Sequence, residues 1–114
     1  MSKVIVSAPA KRDIRDVLAW SLRQFGDLAA DRYGALVATA INQLTENSSP
    51  VGSRNHAELP EGLRIYHLRN VVDQAELKTG KVKNPRHFIV YRPAADLVEI
   101  IRVLHDSMDL QRHV

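Results

Sequence analysis

Arginine is the residue type best placed for chemistry in this chain, and five arginines fall in or beside its C-terminal apolar segments: Arg64, Arg69, Arg86, Arg92 and Arg102. A guanidinium pairs bidentately with phosphate or carboxylate, so arginines that share one sheet face would form a basic concavity for either group. The alternative is that strand alternation sends them to solvent, where some pair with Glu99 or Asp96. We favour this second interpretation, because surface charges contribute little energy either way.

His105 follows the most apolar run of the chain, and a histidine exchanges protons near neutral pH. A set for RNA cleavage would combine it with one arginine and one glutamate: Arg64 with Glu58 or Glu61. A base would activate the 2′-hydroxyl, an acid would protonate the leaving 5′-oxygen, and arginine would stabilise the phosphorane charge. The structural alternative, which we favour, is that His105 ends a strand and hydrogen-bonds Asp106 or Asp109.

Three aromatic residues of the N-terminal half are candidates for protein recognition: Trp20, Phe25 and Tyr33. Trp20 lies off the main apolar stripe of its predicted helix, and an exposed large aromatic side chain is the kind of anchor that a partner buries. The alternative is a wide apolar face that buries Trp20 against the next helix. The sequence leaves both possibilities open.

Composition excludes several classes of site. The chain has no cysteine, and its five histidines show no metal-ligand spacing, so we expect neither a disulfide nor a metal. There is no Gly-rich phosphate loop or nucleophile elbow, and we expect no cofactor. No apolar run of about 18 residues and no signal-peptide core is present, so we expect a cytoplasmic protein. The net charge of +3 is compatible with a nucleic acid or an acidic protein partner.

The 114 residues are expected to form one domain, residues 1–114, with the element order βααβββ. A β-branched run at Val4–Val6 predicts an edge strand. Two amphipathic helices follow, the first starting at Ser7 and ending at Gly26, the second capped by Asp27 and ending near Asn47. We predict an α+β fold in which this helical hairpin packs on one face of a mainly antiparallel, twisted sheet and leaves the other face partly open.

Three C-terminal strands are predicted: Leu63–Arg69, Arg86–Arg92 and Leu97–Leu104. A turn at Pro93–Asp96 joins the last two. The connection Asn70–Pro85 is long for a hairpin loop. We expect Val71-Val72 to extend the preceding strand and Val82 to begin the return, with Lys78, Lys81 and Lys83 on an exposed tip.

Three motifs carry a family resemblance: L-R-I-Y-H-L-R at Leu63–Arg69, P-R-H-F-I-V-Y-R at Pro85–Arg92 and R-V-L-H-D-S-M-D-L-x-R-H at Arg102–His113. An N-terminal S-x-x-A-x-x-D-I-x-x-V, beginning at Ser7, extends the match over nearly the whole chain. The sequence resembles ParE-type toxins of the RelE/ParE superfamily of bacterial type II toxin–antitoxin systems. The long Asn70–Pro85 connection departs from the shorter hairpin that is usual there.

The resemblance implies two possible activities. ParE-type toxins trap the DNA gyrase cleavage complex and have no recognised catalytic set, whereas RelE-type toxins are ribosome-dependent mRNA endoribonucleases with Lys, Arg and often Tyr groups. Here Ala57–Arg64 contains no Lys, and no aromatic residue follows His105 except His113. We therefore expect a binding inhibitor of gyrase rather than an enzyme. A histidine-dependent endoribonuclease and a degenerate, non-toxic binding module are the alternatives.

The resemblance also implies a cognate, ParD-like antitoxin, which we expect to contact Trp20, Phe25 and Tyr33. Its helix would lie across the hairpin and an acidic extended segment along the sheet. We expect contact with nucleic acid only indirectly, through gyrase or antitoxin. The residues expected to bind the target lie on the C-terminal strands and the tail: Arg64, Arg86, Arg92, Arg102, His105, Met108, Asp109 and Arg112.

Overall fold

The computed structural model describes residues 2–78, 80–108 and 110 of the chain. Two helices pack on one face of a four-stranded sheet with the strand order β1-β4-β3-β2, and this confirms the predicted α+β fold. The elements are β1 (Lys3–Val6), α1 (Ala8–Phe25), α2 (Asp27–Glu46), β2 (Arg64–His67), a short 3-10 helix (Leu68–Val71), β3 (His87–Ala94) and β4 (Leu97–His105). No described helix is both long enough and apolar enough to cross a membrane.

Helix α1 begins and ends as its sequence predicts. The Ser7 hydroxyl accepts a hydrogen bond from the Ala10 N–H at 3.1 Å and donates one to the Ile101 carbonyl at 2.8 Å, so the cap also fixes α1 to β4. Gly26 (φ 92°) ends the helix, and its N–H donates to the Leu22 carbonyl. The prediction that Asp27 caps α2 is wrong: Gly26 alone joins the helices, so Asp27 is already the first residue of α2.

Strand β1 lies at one edge, parallel to β4, while β2, β3 and β4 form an antiparallel meander. A two-residue turn, Ala95 and Asp96, joins β3 to β4. The register shifts between Val90, which pairs with Arg102, and Tyr91, which pairs with Ile100. An extra residue on β4 between these partners produces a bulge, which bends the strand and increases its twist.

The main core lies between the helices and the sheet. Its completely buried members include Leu36 and Leu44 of α2, together with Ile89, Tyr91 and Ile100 of the sheet. These side chains alternate along each strand with residues of the opposite face, as the two-residue period of a strand requires. The apolar stripe of the hairpin therefore rests on Ile89 and Tyr91 of β3 and, on both sides of the bulge, on Val98, Ile100 and Val103 of β4.

The opposite face carries a second, smaller apolar cluster, formed by Leu59, Leu63, Ile65, Phe88, Val90, Leu104 and Leu110. The segment 48–63 folds back over this face, and Arg54 forms an isolated antiparallel bridge with Ile65. Gly52 (φ 98°) approaches the Asn70 side chain so closely that a Cβ there would overlap it. This face is thus covered at one end and open at the other, in agreement with the partly open face predicted from the sequence.

The connection between β2 and β3 differs from its prediction. Strand β2 ends at His67, and Leu68–Val71 form a 3-10 helix instead of extending the strand. The reason is packing, because the completely buried Leu68 and Val71 join the core beneath α2. Val82 does not begin the return strand, which starts only at His87. The prediction of exposed lysines is right, and Lys81 pairs with Asp73 at 2.7 Å.

Candidate functional site

Arg64 is used to hold the chain together. Its Nε donates to the Ser53 hydroxyl at 2.8 Å, and its terminal nitrogens donate to the Ser53 carbonyl at 3.0 Å and to the Asn55 side-chain oxygen at 3.1 Å. These bonds fasten the 48–63 segment to β2. A guanidinium that already has three partners on its own chain is a poor candidate for binding a target.

Arg92 and Arg102 are also paired within the chain. Arg92 contacts Glu99 at 3.3 Å, as the solvent interpretation expected. Arg102 makes a bidentate pair with Asp13 of α1 at 2.7 and 2.9 Å, and the Val103 N–H donates to the same carboxylate at 2.9 Å. The concavity of five arginines is therefore not formed, because Arg102 is directed to helix α1 and not to the helix-free face.

The set considered for RNA cleavage is not assembled either. Arg64 of β2 pairs with Tyr91 of β3, whereas His105 of β4 pairs with His87, four residues before Tyr91 on the same strand. The two residues therefore lie on opposite sides of β3. That separation is roughly 13 Å along the strands and about 10 Å across them. Glu61 is exposed, and the Glu58 N–H is bonded to His56. The structure therefore does not bring Arg64 to His105.

A different group of polar residues meets at the end of the sheet where β2 and β4 finish and β3 starts. We call it the sheet-end cluster: Tyr33, His67, Arg86, His87, His105 and Asp106. Asp106 lies at its centre, bonded to the Arg86 guanidinium at 2.9–3.1 Å and to His67 Nε2 at 3.1 Å. The hydrogen bonds from Arg86, and then that from His67, hold the pKa of Asp106 at about 2.

Hydrogen bonds fix the tautomers of two histidines in this cluster. The His67 Nδ1 accepts from the Arg69 N–H at 3.1 Å, so its proton lies on Nε2 and is donated to Asp106. The His105 Nδ1 accepts from the Ser107 N–H at 3.1 Å and lies 2.7 Å from the Ser107 hydroxyl. In both rings the Nδ1 atom is therefore already occupied by a backbone N–H.

His87 and Tyr33 form the more buried half of the cluster. The Tyr33 hydroxyl accepts from the Arg86 N–H at 3.2 Å and donates to His87 Nδ1 at 2.6 Å. Burial raises the pKa of Tyr33 to about 12. Burial, followed by the neighbouring His105, lowers the pKa of His87 to about 4. His87 is consequently a neutral acceptor at physiological pH.

Sequence patterns missed most of this cluster. The adjacent pairs Arg86-His87 and His105-Asp106 contain the signal, since the register of β3 against β4 places them side by side. The His87 and His105 rings lie edge to face, with centroids 5.2 Å apart. Tyr33, which we grouped with the antitoxin anchors, has its hydroxyl committed to this cluster. Its role as an antitoxin anchor stays a prediction.

Two adjoining grooves open beside the cluster, and the first of them lies on the helix-free face. One, of about 300 Å³, runs from Arg54 and His56 to Met108, and the other, of about 430 Å³, runs from Lys83 to Arg86. They share three lining residues: His67, Arg69 and Asp106. Met108 is 43% exposed at the rim, whereas Asp109 and Arg112 lie outside the described residues. Among the described residues, no group of three or more His, Asp or Glu side chains could hold a metal ion.

A separate apolar surface surrounds the turn between the helices. We call it the hairpin patch: Trp20, Leu22, Phe25 and Leu28. Trp20 is 47% and Phe25 is 68% exposed, and their rings lie edge to face at 5.5 Å. Exposed apolar groups that contact one another in this way are typical of a surface that a partner covers. Trp20 is therefore half exposed and packs on Phe25, and it is not buried between the helices.

Comparisons with known proteins agree with this architecture. The family model of the ParE toxin of type II toxin–antitoxin systems, parDE, matches residues 4–110. The chain belongs to the ParE toxin family. Among solved structures, a chain described as "Chromosomal ParDE TA system from P. aeruginosa" matches with a TM-score of 0.67 over 92% of this chain and 96% of that one. A search of curated proteins finds no match.

The two findings carry different weights. The P. aeruginosa chain shares only 11% of its residues with this one, so the likeness shows a common fold of two helices on a sheet. Membership of the ParE family comes from the sequence match, which covers every element from β1 to β4. The sequence-based assignment to ParE-type toxins is confirmed.

Proposed function

We propose that this ParE-family toxin poisons DNA gyrase by binding, without a chemical step of its own, and that a ParD-like antitoxin neutralises it in the cytoplasm. The observation that supports binding over catalysis is the placement of Arg64. It is bonded to Ser53 and Asn55 and lies far across the sheet from His105. A base and a phosphate-stabilising cation must both reach one reacting group, and these two do not.

We propose that the target is bound at the open end of the sheet. Arg86 and His105 belong to the sheet-end cluster, and Met108 follows directly at the groove rim. Asp109 and Arg112 continue the same segment. Met108 supplies a flexible apolar contact that adapts to a partner surface. Arg64, Arg92 and Arg102 are assigned to internal pairing, which sharpens the broader set proposed from sequence.

The test is a gyrase supercoiling assay and a ribosomal A-site mRNA cleavage assay performed with the same purified protein. We expect supercoiling to be inhibited and the mRNA to remain intact. Cleaved mRNA together with unaffected gyrase would overturn the assignment.

The tail can be tested in the same assays. Deletion of Ser107–Val114 removes the buried Leu110 as well as Met108, so it tests stability and binding together. Met108→Ala is therefore the sharper variant, and Val51→Ala is its matched control because Val51 is 98% exposed elsewhere. We expect Met108→Ala to weaken gyrase inhibition at least about five-fold and Val51→Ala to leave it unchanged. Equal inhibition by both variants and by the folded deletion would remove the tail from the target contact.

The hairpin patch is the surface that we assign to the antitoxin. Trp20 and Phe25 present a large apolar area at little conformational cost, which is the property of an interface anchor. An amphipathic antitoxin helix would cover this patch, while acidic residues of its extended segment would meet the net charge of +3. Such a segment folds when it binds.

Co-expression with the neighbouring small reading frame tests this pairing. We expect an acidic small protein to co-purify by size exclusion and to restore growth. Trp20→Ala should lower its affinity at least about ten-fold, with Val51→Ala as the control. Failure of any such protein to bind or to restore growth contradicts the antitoxin proposal. Unchanged affinity of Trp20→Ala would move the anchor away from the hairpin patch.

RNA cleavage remains the second candidate function, and one observation favours it. The rings of His87 and His105 lie edge to face beside Arg86, so two imidazoles and a cation are close together at the sheet end. If mRNA is cleaved, His105→Ala should abolish cleavage and leave the thermal unfolding curve unchanged. Retention of cleavage by this variant would exclude His105 as the acid or base.

A further inference from the structure

The two grooves beside the sheet-end cluster meet at three shared lining residues, His67, Arg69 and Asp106, and together form one channel. We call this channel the basic groove. Four cationic side chains line it: Arg54, Arg69, Lys83 and Arg86. They come from three separate parts of the chain, namely the segment over the helix-free face, the 3-10 helix and the approach to β3. The fold therefore brings these positive charges together, although the four residues do not form a basic run in the sequence.

Most of this positive charge is not neutralised internally. Among residues 2–78, 80–108 and 110, no carboxylate forms an ion pair with Arg54, Arg69 or Lys83. All three side chains belong to exposed residues. Arg86 does pair with Asp106, yet its side chain remains 55% exposed. The two carboxylates of the groove, Glu58 and Asp106, thus face four cations.

The lining chemistry indicates which polyanion fits. The exposed surface of both grooves is mainly polar. The apolar residues beneath the first groove, Ile65, Phe88 and Leu110, are buried, and the exposed Met108 lies at its rim. An extended peptide gains its specificity from apolar pockets for alternate side chains, and the groove offers few. A nucleic-acid strand requires chiefly cations that follow its backbone, which the groove does offer.

We propose that the basic groove binds the phosphodiester backbone of a single-stranded nucleic acid directly. Arg54, Arg69 and Lys83 contact successive phosphates, and Arg86 contributes the exposed side of its guanidinium. The groove volumes of about 300 and 430 Å³ suit a single strand, with its narrow cross-section, better than a duplex. This inference goes beyond the proposed function, since it concerns a contact that needs no gyrase and no antitoxin.

Fluorescence anisotropy with the full-length chain tests the proposal, with 5′-labelled dT12 as the probe and KCl varied from 50 to 300 mM. Three phosphate contacts predict that the logarithm of the binding constant falls with the logarithm of salt concentration with a slope of about −2. Arg69→Ala removes one contact. It should reduce this slope by about 0.7 and weaken binding about five-fold at 0.1 M salt.

Arg23→Ala is the matched control, because Arg23 is an exposed arginine in the last turn of α1. Lys83→Ala provides an independent second variant in the other half of the groove. The control should bind dT12 as the unmodified chain does, whereas Lys83→Ala should behave like Arg69→Ala. Equal binding by Arg69→Ala and Arg23→Ala would overturn the proposal, as would the absence of salt-dependent binding.

Competition experiments identify the ligand class. Unlabelled dT12 and rU12 should displace the probe equally well, because backbone contacts do not distinguish bases, while a 12-bp duplex should compete more weakly. A duplex that competes better would overturn the single-strand assignment. If a hexaglutamate peptide binds and dT12 does not, the groove takes an acidic protein segment and the proposal fails. Gyrase inhibition is measured in a separate assay, so a failure of the nucleic-acid proposal can be distinguished from a failure of the proposed gyrase poisoning.

Discussion

The two ends of the sheet contain the same residue types, a tyrosine and an arginine, in opposite situations. At one end, the completely buried Tyr91 donates to the Ser48 carbonyl at 2.6 Å and contacts the Ser53 hydroxyl, and Arg64 bonds that same serine. At the other end, Tyr33 bonds His87, and Arg86 keeps more than half of its side chain in solvent. Residue type alone does not separate structure from function here.

The difference lies in where the polar groups find their partners. At the Arg64 end they bond the chain's own loop, so the free energy of unfolding depends on them. At the Arg86 end, His87 and Asp106 have displaced pKa values, and Arg86 and Asp106 line an open groove. Such displacement is typical of functional sites, although structural networks also produce it. Substitutions at the first end should thus lower stability, and those at the second should lower binding.

The largest expected effect comes from Tyr91→Ala. Truncation of a fully buried aromatic ring leaves a cavity, and the Ser48 carbonyl and Ser53 hydroxyl lose a partner. The free energy of unfolding should fall by about 3–5 kcal/mol in urea denaturation. At the other end of the sheet, His105→Ala should lower the free energy of unfolding by less than about 1 kcal/mol. A reversed order would break the contrast between the two ends.

Exchange of the two arginines for alanine gives an intermediate effect. Arg64→Ala removes three hydrogen bonds from the 48–63 segment and should cost about 1–2 kcal/mol of stability, while gyrase inhibition per folded molecule is kept. Arg86→Ala loses an exposed ion pair and should cost less than about 1 kcal/mol. It should nevertheless weaken gyrase inhibition. The comparison fails if Arg64→Ala proves to be the variant with impaired inhibition.

A further effect, no larger than that of Arg64→Ala, is a pH dependence of stability. The pKa of His87 is about 4 in the folded chain, below the ordinary value of 6.5, so the unfolded state binds more protons between these values. The contribution of His87 to the free energy of unfolding is therefore fully present above pH 6.5 and declines as the pH falls toward 4. Because the ring is partly exposed, the loss should be about 1–2 kcal/mol.

His87→Gln is the control for this measurement, because glutamine does not titrate in this range and can still accept a bond from Tyr33. Its melting temperature should vary less with pH between 6.5 and 4 than that of the unmodified chain. Below about pH 4, protonation of Asp106, whose pKa is lowered from 3.8 to about 2, removes further stability. An unmodified chain whose melting temperature is independent of pH between 6.5 and 4 would contradict the burial of His87.

The sequence predicts those features that depend on neighbouring residues. Helix α1 was anticipated from Ser7 and Gly26, and the hairpin strands from their β-branched runs. Features that depend on distant residues escaped prediction. The pair of Asp13 and Arg102 joins residues 89 positions apart, and the bond between Tyr33 and His87 spans 54. No local pattern marks such partners.

The same distinction explains the candidate site. Arg86 and His105 were identified from residue type, yet Asp106 became central only because strand register brings Arg86 and His67 to it. The fate of Leu68–Val71 was set in the same way. Its residues suit a strand, but Leu68 and Val71 are buried in the core beneath α2, and the segment forms a 3-10 helix instead. Tertiary packing overrides local propensity there.

The most direct test of gyrase poisoning is the amount of linear plasmid released by detergent and protease from a reaction of gyrase, ATP and supercoiled DNA. Loss of supercoiling alone would not suffice, because a toxin that blocks gyrase without trapping its cleavage complex would also produce it. We expect linear DNA to accumulate with toxin concentration, to persist in Arg69→Ala and to disappear when antitoxin is added. Inhibition of supercoiling without any trapped, linear DNA would contradict the proposal that this chain poisons gyrase.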